Sequence, residues 1–149
     1  MTSTTPAVFG QFGQSLALAE QALTQILHKH LAERDTKPET WYALQVLTAR
    51  GPGLARGELI AALERSRTLS PARVREVLQE LEAEGLIRGD AVVDLTPAGQ
   101  SLHRSLREYI AGPAARLLGQ FDVADIETTV HTLQAITERA TEELAGAGR

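Results

Sequence analysis

The sequence predicts a mainly α-helical chain with one short two-stranded hairpin, and three observations predict it. Apolar residues recur at helical spacing near both ends of the chain. A serine followed by proline, a capped helix start, comes after a short amphipathic segment in the middle. Just beyond it, a Gly-Asp pair separates two short aliphatic runs.

The 149 residues include 43% hydrophobic and 23% charged side chains, a globular composition. No apolar run approaches the roughly 18–20 residues of a membrane span. Met1 to Ala7 has neither the basic flank nor the apolar centre of a secretory signal. The chain has no cysteine, which excludes disulfides, thiolate metal sites and thiol catalysis. A cytoplasmic location is the expectation.

From about Phe9 to Ala32, Phe12, Leu16, Ala19, Leu23 and Ile26 form one stripe on a long helix. Asp35-Thr36-Lys37-Pro38 interrupts it. Pro38 suits the first turn of a second helix, whose inward residues are Trp41, Leu44 and Leu47, and Gly51-Pro52-Gly53 ends that helix. A third, about Ala55 to Glu64, points Leu59, Ile60 and Leu63 inward. Ser70 caps a fourth from Pro71 to Glu84, with Val74, Val77 or Leu78, and Leu81 inside and Gly85 as its left-handed stop. Leu86–Arg88 and Ala91–Leu95 flank Gly89-Asp90 as the hairpin. Thr96-Pro97 opens a long helix through Leu102, Leu106, Tyr109 and Ile110, which Gly112-Pro113 is expected to kink or break. A last helix begins near Asp122 and carries Ile126, Val130 and Leu133.

The net charge of −4 conceals a segregated pattern. Arg65 to Arg75 holds four arginines and no acid, whereas Glu76 to Glu84 holds four acids and no base. Helix, short turn, capped helix and hairpin in succession describe a winged helix-turn-helix. Such a unit can place the first turn of its second helix in a major groove, where free amides and arginines meet phosphates and base edges. The candidate DNA-contacting residues are therefore Arg56, Arg65, Arg67, Ser70, Arg73 and Arg75, with Arg88 on the hairpin. Arg73 and Arg75 are expected to face outward.

Trp41-Tyr42-Ala43-Leu44-Gln45-Val46-Leu47, Glu58-Leu59-Ile60, Leu81-Glu82-Ala83-Glu84-Gly85-Leu86-Ile87 and Leu95-Thr96-Pro97-Ala98-Gly99 together resemble the MarR family of bacterial transcriptional regulators. The resemblance covers nearly the whole chain and implies a ligand-responsive regulator, more often repressor than activator. It implies a two-fold homodimer on a pseudo-palindromic operator in double-stranded DNA. Residues 1–34 would be the arm and dimerisation helix, 35–96 the DNA-binding lobe and 97–149 the C-terminal dimerisation helices. Phe12, Leu16 and Leu23 on the first helix, and Ile126, Val130 and Leu133 on the last, are the candidate interface. The resemblance also implies a pocket for a small lipophilic or aromatic ligand, for which His28, Trp41 and Tyr42 are the candidates, although Trp41 suits ordinary core equally.

Three features depart from the family pattern. The wing is short and lacks an arginine near its tip. The five residues Glu64 to Thr68 lengthen the connection before Leu69, and Glu76 replaces a basic or polar residue. The short wing, Glu76 and the net charge of −4 motivate a second reading, a winged-helix dimer with reduced DNA binding that serves as a protein-interaction module.

Catalysis finds no support, since no phosphate loop and no nucleophile–base constellation is present. His28 and His30 lie about 200° apart around their helix, so they do not converge on one ion. Neither metal nor cofactor is expected.

Overall fold

The computed structural model describes residues 5–67 and 69–147. Its elements are α1 (Ala7–Glu33), α2 (Pro38–Arg50), β1 (Leu54–Ala55), α3 (Arg56–Arg67), α4 (Pro71–Ala83), β2 (Ile87–Arg88), β3 (Val92–Leu95), α5 (Pro97–Leu118) and α6 (Val123–Ala147). The chain forms two compact units, one ending at Ile110 and one starting at Ala111.

Local chemistry sets most boundaries in the first unit. At the end of α1, Asp35 adopts φ +51° while its N–H bonds Ala32 O and the Thr36 N–H bonds Leu31 O. The end of α4 repeats this with glycine. Gly85 sits at φ +73°, its N–H on Glu82 O, and the Leu86 N–H reaches back to Leu81 O. Both are Schellman closures, which satisfy carbonyls that a helix end leaves open. Leu81 and Leu86 also meet in the core, the apolar contact that accompanies this closure.

Thr96 then starts α5 and holds it to α4. Its hydroxyl donates to Gly85 O at 2.5 Å and accepts the Gly99 N–H at 3.1 Å, while its own N–H bonds Leu86 O. Gly99 is there because the backbone passes so close: a Cβ would stand 2.2 Å from Leu86 O. The two glycine-bearing motifs thus interlock as one joint between α4, the wing and α5.

The main core gathers Ala43 and Leu47 of α2, Leu59 and Leu63 of α3, and Val74, Val77, Leu78 and Leu81 of α4 against Leu54, Ile87 and Val93. Val77 and Leu78 are both buried, because that face of α4 meets α3 on one side and the sheet on the other. A smaller cluster joins Leu31 of α1, Trp41 and Leu44 of α2 and Leu106 of α5. Full burial of one such leucine contributes about 1.5–3 kcal/mol.

Three expectations need correction. The wing is not merely two-stranded: β1 pairs with β3 through Leu54↔Val93 and Ala55↔Val92, giving an antiparallel sheet of order β1-β3-β2. Ala55 therefore belongs to a strand, and α3 starts one residue later. The residues after Leu63 continue that helix through Arg67 instead of forming a loop. Finally, Gly112-Pro113 does not break α5, which runs on to Leu118 with Pro113 inside it. A proline within a helix forfeits one backbone bond, and the surrounding turns retain the helix.

The second unit consists of the end of α5 and α6. None of the residues of α6 is buried.

Candidate nucleic-acid interface

The start of α4 is capped and exposed. Ser70 adopts extended backbone, its Oγ accepts the Arg73 N–H at 3.1 Å, and Pro71 follows in the first turn. Pro71, Ala72, Arg75 and Glu76 are exposed, while Val74 and Val77 point into the core. The helix therefore buries one face and offers the other, with its positive dipole end outward.

The candidate arginines have different surroundings. Arg75 and Arg65 are exposed and form no ion pair among the described residues; Arg75 Nε only brushes its own helix at Pro71 O, 3.5 Å away. The side chain of Arg67 lies outside the described residues. Arg73, expected to face outward, is half-exposed and held by carboxylates. Its guanidinium lies 3.0 Å from Glu76, 3.3 Å from Glu80 and 3.7 Å from Glu39 of α2, and Lys37 joins through Glu80 at 3.3 Å. The hydrogen bond to Glu76, with those to Glu80, raises the Arg73 pKa above its ordinary value, and Lys37 with Arg73 lowers that of Glu80. Arg73 thus fastens α4 to α2, and Glu76 is a partner for it.

Arg56 is likewise engaged. Its Nε donates to Asp90 O at 2.6 Å, and one terminal nitrogen donates to Gly89 O at 2.8 Å and to Glu82 at 2.6 Å. Its backbone N–H bonds Ala91 O. The wing lacks an arginine of its own at the tip, and α3 holds that tip from below. Arg88 is exposed on β2, opposite Asp94 in the strand register.

Of the pocket candidates, His28 and Tyr42 meet, whereas Trp41 packs elsewhere. Trp41 is buried and stacks on His103, ring centroids 5.3 Å apart. Tyr42 turns toward α1 and shares a hydrogen bond with His28 at 3.2 Å. His103 is 5% exposed, and its Nε2 donates to Gln45 Oε1 at 2.6 Å. Burial, aided by the nearby Arg107 charge, lowers its pKa below the usual histidine value. The folded chain thus takes up a proton on His103 less readily than the unfolded chain, which protonates it below about pH 6.5. Stability supplied by this group is present above that pH and falls as the solution is acidified. His103→Gln is expected to flatten the loss of urea stability between pH 7.5 and pH 5; a slope equal to the parent's would assign the acid sensitivity elsewhere.

Sequence reasoning missed Glu39 and Lys37, whose partners on α4 are distant in the chain. It also missed Arg104 and Arg107 on α5, whose spacing of three on one helix was a legible signal. Among the described residues no group of three or more metal-ligating side chains occurs, and no helix is long and apolar enough to cross a membrane.

A short capped helix presented beside a three-stranded wing, flanked by long helices, defines a winged helix-turn-helix protein. More particularly, the fold is that of MarR-family proteins. A MarR family protein from Bacillus stearothermophilus matches with TM-score 0.75 and 18% identity over 93% of this chain and 99% of that one. Staphylococcus aureus MarR in complex with salicylate and kanamycin matches with TM-score 0.73 and 15% identity, over 91% and 94%. A Mycobacterium tuberculosis MarR family protein in complex with DNA matches with TM-score 0.68 and 20% identity, over 89% and 98%. No family model and no curated protein matches the sequence.

Proposed function

We propose that the protein is a DNA-binding transcriptional regulator, acting in the cytoplasm as a homodimer on a pseudo-palindromic operator, and not an enzyme. The observation that carries this reading is the exposed, Ser70-capped start of α4, with Arg75 on it and Arg65 on the preceding helix both uncommitted. Arg65, Arg75 and the α4 amides would contact the groove, with Arg67 and Arg88 against phosphates. Arg56 and Arg73 would act indirectly, by holding the wing and α4 in place.

Dimerisation is supported by apolar surface that a single chain leaves in water. Phe12, Leu16 and Leu23 of α1 are 40, 42 and 48% exposed, and Val130 of α6 is 44% exposed beside half-buried Ile126 and Leu133. Stripes of this kind call for a partner helix, and two-fold pairing is the commonest closed solution. It would set two α4 helices about 34 Å apart, one turn of B-DNA. Leu23→Asp is then expected to halve the mass in sedimentation or light scattering; an unchanged mass would remove α1 from the interface.

Repression by operator occupancy, relieved by a small lipophilic or aromatic ligand, is the mode proposed, in line with the salicylate complex of the S. aureus neighbour. Titration against genomic fragments at two salt concentrations tests the function. Tight binding to a subset of fragments that weakens steeply with salt is expected. Absence of binding at low salt would favour the second reading, a protein-interaction module, which the internal commitment of Arg56 and Arg73 to carboxylates supports.

A further inference from the structure

A groove of about 880 Å³ lies among the C-terminal end of α2, the wing and the first half of α5. Arg88 enters it from β2, and Arg104 and Arg107 from successive turns of α5. Among the described residues none of the three has an ion-pair partner, whereas Arg50, Arg56 and Arg73 all do. The groove also holds two carboxylates, one fewer than its guanidinium groups, and neither is ion-paired with them. Asp94 is engaged by the Gly53 N–H at 2.5 Å, and Glu108 pairs with none of the three. His103 forms part of the wall, held by Trp41 and Gln45.

Three guanidinium groups without ion pairs among the described residues, outnumbering the carboxylates around one concavity, are unexpected in a chain of net charge −4. Like charges repel, and an anion shared among them removes that repulsion. The planar guanidinium fork suits the paired oxygens of phosphates and carboxylates. The volume falls within the range of about 300–1,000 Å³ typical of small-molecule sites. His28 and Tyr42 are not part of this groove.

We propose that this groove binds a small polyanion, a phosphorylated or polycarboxylate metabolite with at least two negative charges. Because Arg88 and Asp94 face each other across β2 and β3, an anion held by Arg88 acts directly on the wing strands. On the regulator reading above, its binding is therefore linked to DNA affinity, and the linkage is reciprocal.

Isothermal titration of the full chain, without DNA and at low salt, with inorganic pyrophosphate and separately with citrate tests the site. Saturable binding of one anion per chain is expected from at least one probe, and which of them binds distinguishes the phosphate from the carboxylate source. Arg104→Gln and Arg107→Gln should each weaken it by about tenfold or more, since a charged hydrogen bond is removed. Arg139→Gln on α6 should leave it unchanged. No saturable binding by either probe, or binding insensitive to both α5 variants, overturns the site. Because DNA is absent, this outcome is independent of the regulator reading. With a DNA fragment that the parent binds, the saturating probe should shift Kd by about fivefold or more in the parent and not in Arg104→Gln; an unshifted Kd in the parent overturns the link to the wing.

Discussion

Arg75→Ala is expected to weaken specific DNA binding by about 1–3 kcal/mol, roughly ten- to a hundredfold in Kd, if its guanidinium is bidentate to a base edge. Arg75 is exposed near the start of α4 and, among the described residues, no carboxylate pairs with it. Adding Arg65→Ala should deepen the loss and lower the salt slope of binding, the mark of a lost phosphate contact. Neither change should move the melting temperature, because neither side chain supports the fold. Arg73→Ala should behave in the opposite way. It unties a cation from Glu39, Glu76 and Glu80, so the melting temperature should fall, and DNA affinity should fall only as far as α4 shifts. Melting curves and fluorescence-anisotropy titrations on the three variants separate these roles. Equal affinity losses from Arg73→Ala and Arg75→Ala at unchanged melting temperature would mean that Arg73 leaves its carboxylates to read DNA.

Gly99→Ala is expected to destabilise the first unit strongly for a single added methyl. The added Cβ would lie 2.2 Å from Leu86 O and 3.2 Å from Leu95 Cδ2. The obstructing atom is a backbone carbonyl that already accepts the Thr96 N–H, so it cannot swing aside without releasing that bond. Overpacking of this kind costs about 1–3 kcal/mol, occasionally more. The substitution should lower the urea midpoint at unchanged m-value, whereas Gly57→Ala, which meets nothing within 4 Å, should barely move it. An unchanged midpoint for Gly99→Ala would mean that the joint between α4 and α5 has room the geometry denies.

What was legible in the sequence was what local chemistry decides. Ser70, Gly85 and Thr96 announced their helix ends because capping acts within a few residues, and the buried positions of α4 followed from spacing. The strand at Leu54–Ala55 was not legible, since two residues carry no periodicity and become a strand only by pairing with Val92 and Val93 nearly forty positions later. Of the kink or break expected at Gly112-Pro113, the break does not occur, since α5 runs on to Leu118. For the candidate interface, the cluster of arginines was visible but their division of labour was not. Arg73 is taken by Glu39 and Arg56 by the wing tip, contacts between segments far apart in the chain. The grouping of Arg88 with Arg104 and Arg107 appears only once β2 and α5 are side by side.

Hydroxyl-radical footprinting on a fragment recovered from the genomic titration reads the proposed mode of binding directly. Two protected patches on one face of the duplex, centred about 10 base pairs apart, are expected from paired α4 helices, and both should fade together in Arg65→Ala/Arg75→Ala. A single patch, or protection that persists in that double variant, would contradict recognition by a dimer through the start of α4.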